Sequence, residues 1–422
     1  MEKLEDSKIE FSKYAKFLKN TNSVIIINGH SGVWGEIEND LFNKVKYCID
    51  NRIDLIEYMK SFGNIEERKQ LEEVFDALLS EEMLVKSKND IKIDIKDVEF
   101  KMTNKCNLSC IHCGASSDIH NKDILSTEEM KHILDKIFEL NIDNLYLTGG
   151  EPLIRKDINI ILKYIGENFN GEVRLLTNGT FIDMDMAKLL RKYVNAVSIS
   201  VDGWDEKSSE FVRGKGTFKK VLSAISNLKG VGFDKETIIL TMTCIYQNNN
   251  HKEEFYEFCK KLNVTGAVRQ FSAFGRGYEN YEKIGVKNHL IVDSNLESQI
   301  EDIKEELECK IFCRAGIGKL MINEKGDIYP CLVLEYDDYK FGNVLNDGLR
   351  EMVQSENYKN LIEKIFKETP VDSKEHCKNC KVRYFCMDRC LGVSRSYYDN
   401  EDICEERCNQ MRDYLNRVIW EN

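Results

Sequence analysis

Between residues 96 and 274, short apolar runs and amphipathic stretches alternate six times, and few folds satisfy that pattern. The runs at 97–102, 144–148, 172–177, 196–201, 237–246 and 266–272 are strand-sized. The stretches between them carry helix signatures. Ser126-Thr-Glu-Glu129 is a capping box, after which Met130, Ile133, Leu134, Ile137 and Phe138 fall on one face. Thr217 opens another helix, with Phe218, Val221, Leu222, Ile225 and Leu228 inward. Strands separated by helices pair in parallel through right-handed crossovers. Six units predict an α/β fold, a partial, TIM-like (β/α)6 barrel whose active site lies on loops after the strand C-termini.

At roughly 150 residues per domain, 422 residues make two or three domains. Residues 1–95 open with a strand at Val24–Asn28, a turn at His30-Ser-Gly32 and a second strand over Val33–Ile37. Leu71, Val74, Phe75, Leu78 and Leu79 then form a one-sided helical stripe, which predicts a small α+β module. Residues 275–308, polar and irregular around Gly275, Gly277 and Gly285, read as a linker. Residues 309–422 hold most of the fifteen cysteines and read as a separate cysteine-rich domain.

The longest apolar runs, such as Ser23–Asn28, fall far short of the ~20 residues that cross a bilayer. Met1–Lys8 lacks the apolar core of a signal peptide, so the expected location is the cytoplasm. Sixty basic against seventy-two acidic side chains give a net charge of −12 with no basic cluster, which argues against nucleic acid as a partner. In a reducing compartment, clustered cysteines are metal ligands more often than disulfides.

Two cysteine groups carry the chemistry. Cys106, Cys110 and Cys113 are spaced C-x3-C-x2-C directly after the first barrel strand. Three thiolates hold one face of a metal centre and leave a position open for substrate or cofactor. The competing reading is a structural zinc site with His112 as the fourth ligand. The second strand ends in Gly149-Gly150-Glu151-Pro152, the third in Thr177-Asn178-Gly179 and the fourth in Ser198–Gly203. Later come Cys313-x12-Gly326-x4-Cys331, then Cys377, Cys380, Cys386 and Cys390, then Cys404 and Cys408. Gly326 lies in Glu324-Lys-Gly-Asp327, a hairpin turn that needs a positive φ.

The C-x3-C-x2-C loop at the end of a first barrel strand resembles the signature of the radical S-adenosylmethionine (SAM) enzymes. The resemblance implies a 4Fe–4S cluster on Cys106, Cys110 and Cys113, with SAM on the open iron. It implies SAM contacts from His112 near the adenine, from Gly149, Gly150, Glu151 and Pro152 at the amino group, and from Asn178. Ser200 and Asp202 would lie near the ribose, and Arg213 would reach the carboxylate. The later cysteines, with Phe341-Gly-Asn-Val344, resemble the SPASM extension of radical SAM peptide-modifying enzymes, which carries two auxiliary 4Fe–4S clusters. By that analogy Cys309, Cys313, Cys331 and Cys390 hold one, and Cys377, Cys380, Cys386 and either Cys408 or Cys404 hold the other. Cys48, Cys244 and Cys259 read as small buried hydrophobes.

Residues 1–95 resemble the winged-helix-like peptide-recognition domain of maturases of ribosomally made peptides, where a strand edge pairs with the precursor's leader. A capping or dimerisation module is the bland alternative. The resemblance implies a radical SAM peptide maturase that abstracts hydrogen with a 5′-deoxyadenosyl radical and forms thioether cross-links. An external donor of the flavodoxin or ferredoxin type would supply electrons. Val268-Arg-Gln-Phe271 stands where the sulfatase-maturing branch has Gln-Tyr-x-Asp, which disfavours formylglycine formation. Carbon–carbon cross-linking and epimerisation use the same core. From another class, a non-catalytic iron–sulfur or zinc protein that binds a peptide would not need the open three-cysteine site.

Overall fold

The computed structural model describes residues 9–85, 93–285, 314–367, 370–386, 390–395 and 401–420, together with 304, 307 and 309. The N-terminal module runs β1 (Glu10–Phe11), β2 (Ala15–Lys19), β3 (Ser23–Asn28), β4 (Trp34–Glu38), α1 (Asn39–Asp50), α2 (Leu55–Lys60), α3 (Ile65–Ser80) and β5 (Leu84–Val85). β3 is the middle of an antiparallel sheet ordered β2-β3-β4. Its unbroken apolar run is explained by burial on both faces. Val24 and Ile26 pack against Phe42, Val45, Leu71 and Phe75, while Ile25 and Ile27 pack with Leu18, Tyr384 and Phe385. The module therefore sits on the cysteine-rich region. Trp34 Nε1 donates to Leu307 O at 2.7 Å, the Cys309 N–H to Gly32 O at 3.0 Å, and Lys16 pairs with Asp372 at 2.6 Å.

The barrel strands are β6 (Asp97–Lys101), β7 (Asn144–Thr148), β8 (Glu172–Thr177), β9 (Ala196–Ser200), β10 (Ile238–Cys244) and β11 (Thr265–Gln270), all parallel and in sequence order. Outside them lie α4 (Thr127–Phe138), α5 (Ile158–Asn168), α6 (Met184–Tyr193), α7 (Glu206–Arg213), α8 (Thr217–Gly230) and α9 (Lys252–Lys261). Alternation along β6 turns Val98 and Phe100 outward, into one core with Ile133, Leu134 and Ile161. Glu99 consequently faces the lumen. Arg269 on β11 lies within electrostatic reach of it although four strands separate the two, so the sheet curls into an open barrel.

Two expectations need revision. Residues 275–285 are not a linker, because α10 (Gly275–Glu279) and α11 (Tyr281–Ile284) form there, with Tyr281 and Ile284 buried. The rest of that span lies almost wholly outside the described residues. Nor is the cysteine-rich region structurally separate. β12 (Lys319–Ile322) pairs in parallel with β6, from Lys319 opposite Asp97 to Ile322 opposite Phe100. β13 (Asp327–Tyr329) and β14 (Gly342–Asn343) follow antiparallel and complete a nine-stranded sheet. The hairpin turn has Gly326 at φ 81°, the positive value expected. Among the described residues, no helix is long and apolar enough to cross a membrane.

Candidate active site

The three-cysteine loop leaves the C-terminal end of β6 and is tied back on itself. The Cys106 N–H donates to Asp118 O at 3.0 Å, Ser117 Oγ to Asn104 Oδ1 at 2.7 Å, and Asn121 Nδ2 to Asn104 O at 2.9 Å. Cys106 and Cys110 are buried and Cys113 is half-buried. Burial pushes the Cys106 thiol up to about 11 and raises that of Cys110, so thiolates here need positive charge beside them. Donors are aimed at the sulfurs. The Leu108 N–H lies 3.4 Å and Asn178 Nδ2 3.9 Å from Cys106 Sγ, and Arg213 Nη1 lies 4.0 Å from Cys110 Sγ. Three thiols on one loop, with donors at Cys106 and Cys110, suit an anionic iron–sulfur cluster, whose sulfur ligands are tuned by such contacts.

The glycine pair works against this loop. A Cβ on Gly149, whose φ is 145°, would lie 2.3 Å from Thr103 O, and one on Gly150 would lie 2.4 Å from Lys105 O. The Gly150 and Glu151 N–H groups bond those same carbonyls at 2.8 and 2.9 Å. The glycines thus permit close approach to residues 103–105, whereas the sequence had suggested approach to a ligand. Glu151 is fully buried. Its carboxylate accepts from Thr177 Oγ1 (2.7 Å), the Asn178 N–H (2.7 Å) and the Leu153 N–H (3.0 Å). Burial raises its pKa against these hydrogen bonds. Instead of standing open to an amine, Glu151 ties the end of β7 to that of β8. Pro152 is buried at the start of a single 3-10 turn, and Asn178 Nδ2 also reaches Asn107 Oδ1 at 2.9 Å.

Asp202, which the resemblance puts near the ribose, is bound up with protein partners. It is fully buried and already engaged. Oδ1 accepts from the Thr243 N–H at 2.7 Å, while Oδ2 lies 2.8 Å from His112 Nε2 and 2.6 Å from Arg213 Nε. The Arg213 Nε contact is an ion pair whose N–H is not aimed along it. Burial works to raise the Asp202 pKa, but Arg213 and His112 outweigh it and hold the carboxyl well below the aspartate range. His112 is thus fixed by Asp202, with Nδ1 buried and given no hydrogen bond among the described residues. Ser200, half-buried, ends β9 opposite Thr241.

Sequence reasoning missed the brace on this loop. Arg276 of α10 donates through Nε to Cys110 O (3.1 Å) and through Nη2 to Ser117 O (2.7 Å), and Asn280 Nδ2 donates to Ile111 O (3.2 Å). Nothing local marks these residues, since the brace acts 166 positions away from Cys110. Asn248 was also missed. It donates to Asp202 O at 3.1 Å and accepts from the Ile245 N–H at 2.7 Å.

Of the later cysteines, Cys313 lies outside the described residues, as does the side chain of Cys404. Cys309 is fully buried, with Sγ 2.8 Å from Tyr384 O, and packs in one cluster with Cys377, Cys380 and Cys386. Cys331 packs elsewhere, with Leu334, Tyr336 and Leu391, and Cys390 acts electrostatically on Tyr336. Cys309 therefore neighbours the set from which the resemblance had separated it. Cys408 is half-buried on the helix Glu401–Trp420.

The model of the radical SAM superfamily matches residues 100–259, and that of the iron–sulfur cluster-binding domain SPASM matches residues 313–381. The chain is a radical SAM/SPASM enzyme. As such it uses SAM and more than one 4Fe–4S cluster. This radical SAM/SPASM enzyme is similar to the antilisterial bacteriocin subtilosin biosynthesis protein AlbA of Bacillus subtilis, with 25% identity over 76% of this chain and 73% of that protein. It is also similar to an AdoMet-dependent heme synthase of Methanosarcina barkeri, with 28% identity over 73% of this chain and 95% of the synthase. Among solved structures, Streptococcus suis SuiB bound to S-adenosylmethionine matches at a TM-score of 0.53 and 16% identity, covering 92% of this chain and 95% of SuiB. At that identity the likeness is one of fold.

Proposed function

We propose that this enzyme is a peptide maturase, which holds a ribosomally made precursor by its leader and forms thioether cross-links in the remainder. The observation that carries the peptide reading is a groove on the N-terminal module. Among the described residues, β4 pairs with β3 along one edge only. Beside it, between β4 and α3, runs a groove of about 510 Å³ floored by Ile26, Ile37, Val74 and Leu78 and bordered by Glu36, Glu38, Glu73 and Glu81. A leader strand laid there would extend the sheet through main-chain hydrogen bonds and point alternate side chains at the apolar floor. The acidic border favours a leader with basic residues. AlbA, by its name, serves bacteriocin biosynthesis, and SuiB has also been solved with its precursor peptide SuiA.

Cys106, Cys110 and Cys113 are assigned the SAM-binding cluster. When bound, that cluster and SAM supply a 5′-deoxyadenosyl radical able to take hydrogen from an unactivated carbon. The chain's own part is to bind, orient and exclude water. Main-chain groups at Gly149 and Gly150 are assigned to the SAM amine, Ser200 to the ribose, and the outer amino group of Arg213 to the carboxylate. Asn178 and Glu151 hold the strand ends around them. Cys309, Cys313, Cys331 and Cys390 are assigned one auxiliary cluster, and Cys377, Cys380, Cys386 and either Cys408 or Cys404 the other. Cys309 packs in one cluster with Cys377, and Cys331 packs in another. A flavodoxin- or ferredoxin-type donor and a cytoplasmic setting complete the reading.

The test uses anaerobically reconstituted enzyme with SAM, a low-potential reductant and a cysteine-containing precursor peptide encoded beside its gene. The expected result is 5′-deoxyadenosine together with a peptide lighter by two hydrogens per cross-link and resistant to thiol alkylation. A second reading, a porphyrin substrate, is favoured by the match to 95% of the heme synthase. Deoxyadenosine formation with an unchanged peptide and a modified iron porphyrin would replace the first reading by the second.

A further inference from the structure

Four segments converge on the Asp202 carboxylate. It lies two residues beyond β9, and it takes the Thr243 N–H from β10, His112 from the cysteine loop and Arg213 from the end of α7. Asn248 holds its carbonyl. The loop is further tied to α7 by the Ile111 N–H, which donates to Val212 O at 3.2 Å. The ion pair is secluded, because the side chains of Asp202 and Arg213 are 0% and 10% exposed. One end of the guanidinium, Nε, lies against Asp202, while Nη1 lies 4.0 Å from Cys110 Sγ.

An arginine side chain has several rotatable bonds, and burying one costs conformational entropy. Another buried carboxylate, Glu151, also attracts this guanidinium. What keeps the charge beside Cys110 is therefore the contact with Asp202. We propose that Asp202 is a positioning residue that fixes Arg213 as a permanent counter-charge to the cysteine thiolates, and so sets how readily their cluster accepts an electron. The step is a one-electron reduction by a low-potential reductant, with no bond made or broken and no proton moved. The added charge is negative, so a fixed cation nearby favours the reduced form, and in a secluded site water and salt screen that attraction weakly. Cluster potentials respond to local charge and solvent exposure. No hydrogen bond among the described residues uses Nη2 of Arg213, so this task leaves that group for a ligand carboxylate.

The inference rests on Cys106, Cys110 and Cys113 holding the SAM-binding cluster. The experiment is an anaerobic redox titration of reconstituted enzyme followed by electron paramagnetic resonance. The signal that changes on addition of SAM reports this cluster apart from the auxiliary ones. Arg213→Gln should keep the original iron content and move the midpoint of that signal to more negative potential. Asp202→Asn removes an anion that itself acts on Cys110, so it should move the midpoint the same way only by releasing the guanidinium, and a positive shift in it would overturn the positioning role. Arg213→Lys, which keeps the charge, should stay nearer the original. Midpoints unchanged in Arg213→Gln at full iron content would overturn the proposal. Should Asp202→Asn lose iron, the Arg213→Gln and Arg213→Lys pair decides alone. A SAM-sensitive signal that persists in Cys106→Ala would instead overturn the assignment of the cluster.

Discussion

The close contact between the glycine pair and the cysteine loop makes Gly150→Ala a sharp perturbation. The added methyl carbon would lie 2.4 Å from Lys105 O and 2.8 Å from its carbonyl carbon, about 1 Å inside ordinary contact distance. Both atoms are backbone, so no side chain can swing away. The Gly150 and Glu151 N–H groups, bonded to Thr103 O and Lys105 O, prevent the two strands from sliding apart without loss of those bonds. Relief must come from moving Lys105, which precedes Cys106. Overpacking of this kind costs about 1–3 kcal/mol. Displacing a reacting group by ~1 Å costs on the order of 100-fold in rate. Urea unfolding of the iron-free chain should show a lowered midpoint, and the reconstituted variant should hold less iron and release deoxyadenosine about 100-fold more slowly. Gly63→Ala, where an added Cβ meets nothing within 4 Å, is the control. If Gly150→Ala matched the original enzyme in midpoint, iron content and rate, the claim that these glycines serve the loop would be wrong.

Arg276→Ala removes two charge-assisted hydrogen bonds to the loop, each worth at most about 1.5–3 kcal/mol, and should speed the loss of iron to a chelator, with Arg276→Lys intermediate. Asp157 is bonded by Arg155 and Thr127. Burial works to raise its pKa, but those partners win and hold it below its ordinary 3.8. Its contribution to stability is therefore complete above that pH and drains away as pH falls below it, so Asp157→Asn should flatten the acid limb of a urea-midpoint profile. Val74→Asp places a charge on the floor of the β4–α3 groove and should raise the KM for precursor peptide about tenfold or more, a loss of ~1.4 kcal/mol. A fall in kcat with KM untouched would count against the groove. Leader binding should also weaken with salt if basic residues face Glu36, Glu38, Glu73 and Glu81.

The barrel strands were legible because amphipathic helices separate them, with side-chain caps opening α4, α6 and α7, and local chemistry fixes both kinds of element. Observed limits differ from expected ones by one or two residues in most strands. β2, with its mixed Ala-Lys-Phe-Leu-Lys segment, carries no such pattern and forms because β3 offers it a ladder. The placing of Cys106, Cys110 and Cys113 on a loop directly after β6 was legible from the order of strand and spacing. The partners of Glu151 and Asp202 were not, since those side chains looked like ligand contacts and are occupied by Thr177, Asn178, Thr243, His112 and Arg213. Such networks depend on residues dozens of positions apart, and neither composition nor periodicity encodes them. Arg276 and Asn280 were hidden for the same reason, in a stretch whose glycines suggested irregular chain.

The pairing of β12 with β6 bears on how such proteins can be taken apart and recombined. The natural-looking seam, just ahead of Cys309, runs beneath a strand ladder. A chain cut there would leave the side of β6 from Asp97 to Phe100 as a raw edge, inviting other chains to add to it. Anyone grafting a foreign cysteine-rich module onto this barrel would need to carry β12 along with the barrel, or match its register from Lys319 to Ile322, so that the join falls in a turn. The same ladder couples the two parts mechanically: loops on either side can change freely, whereas a shift of β12 is felt along β6.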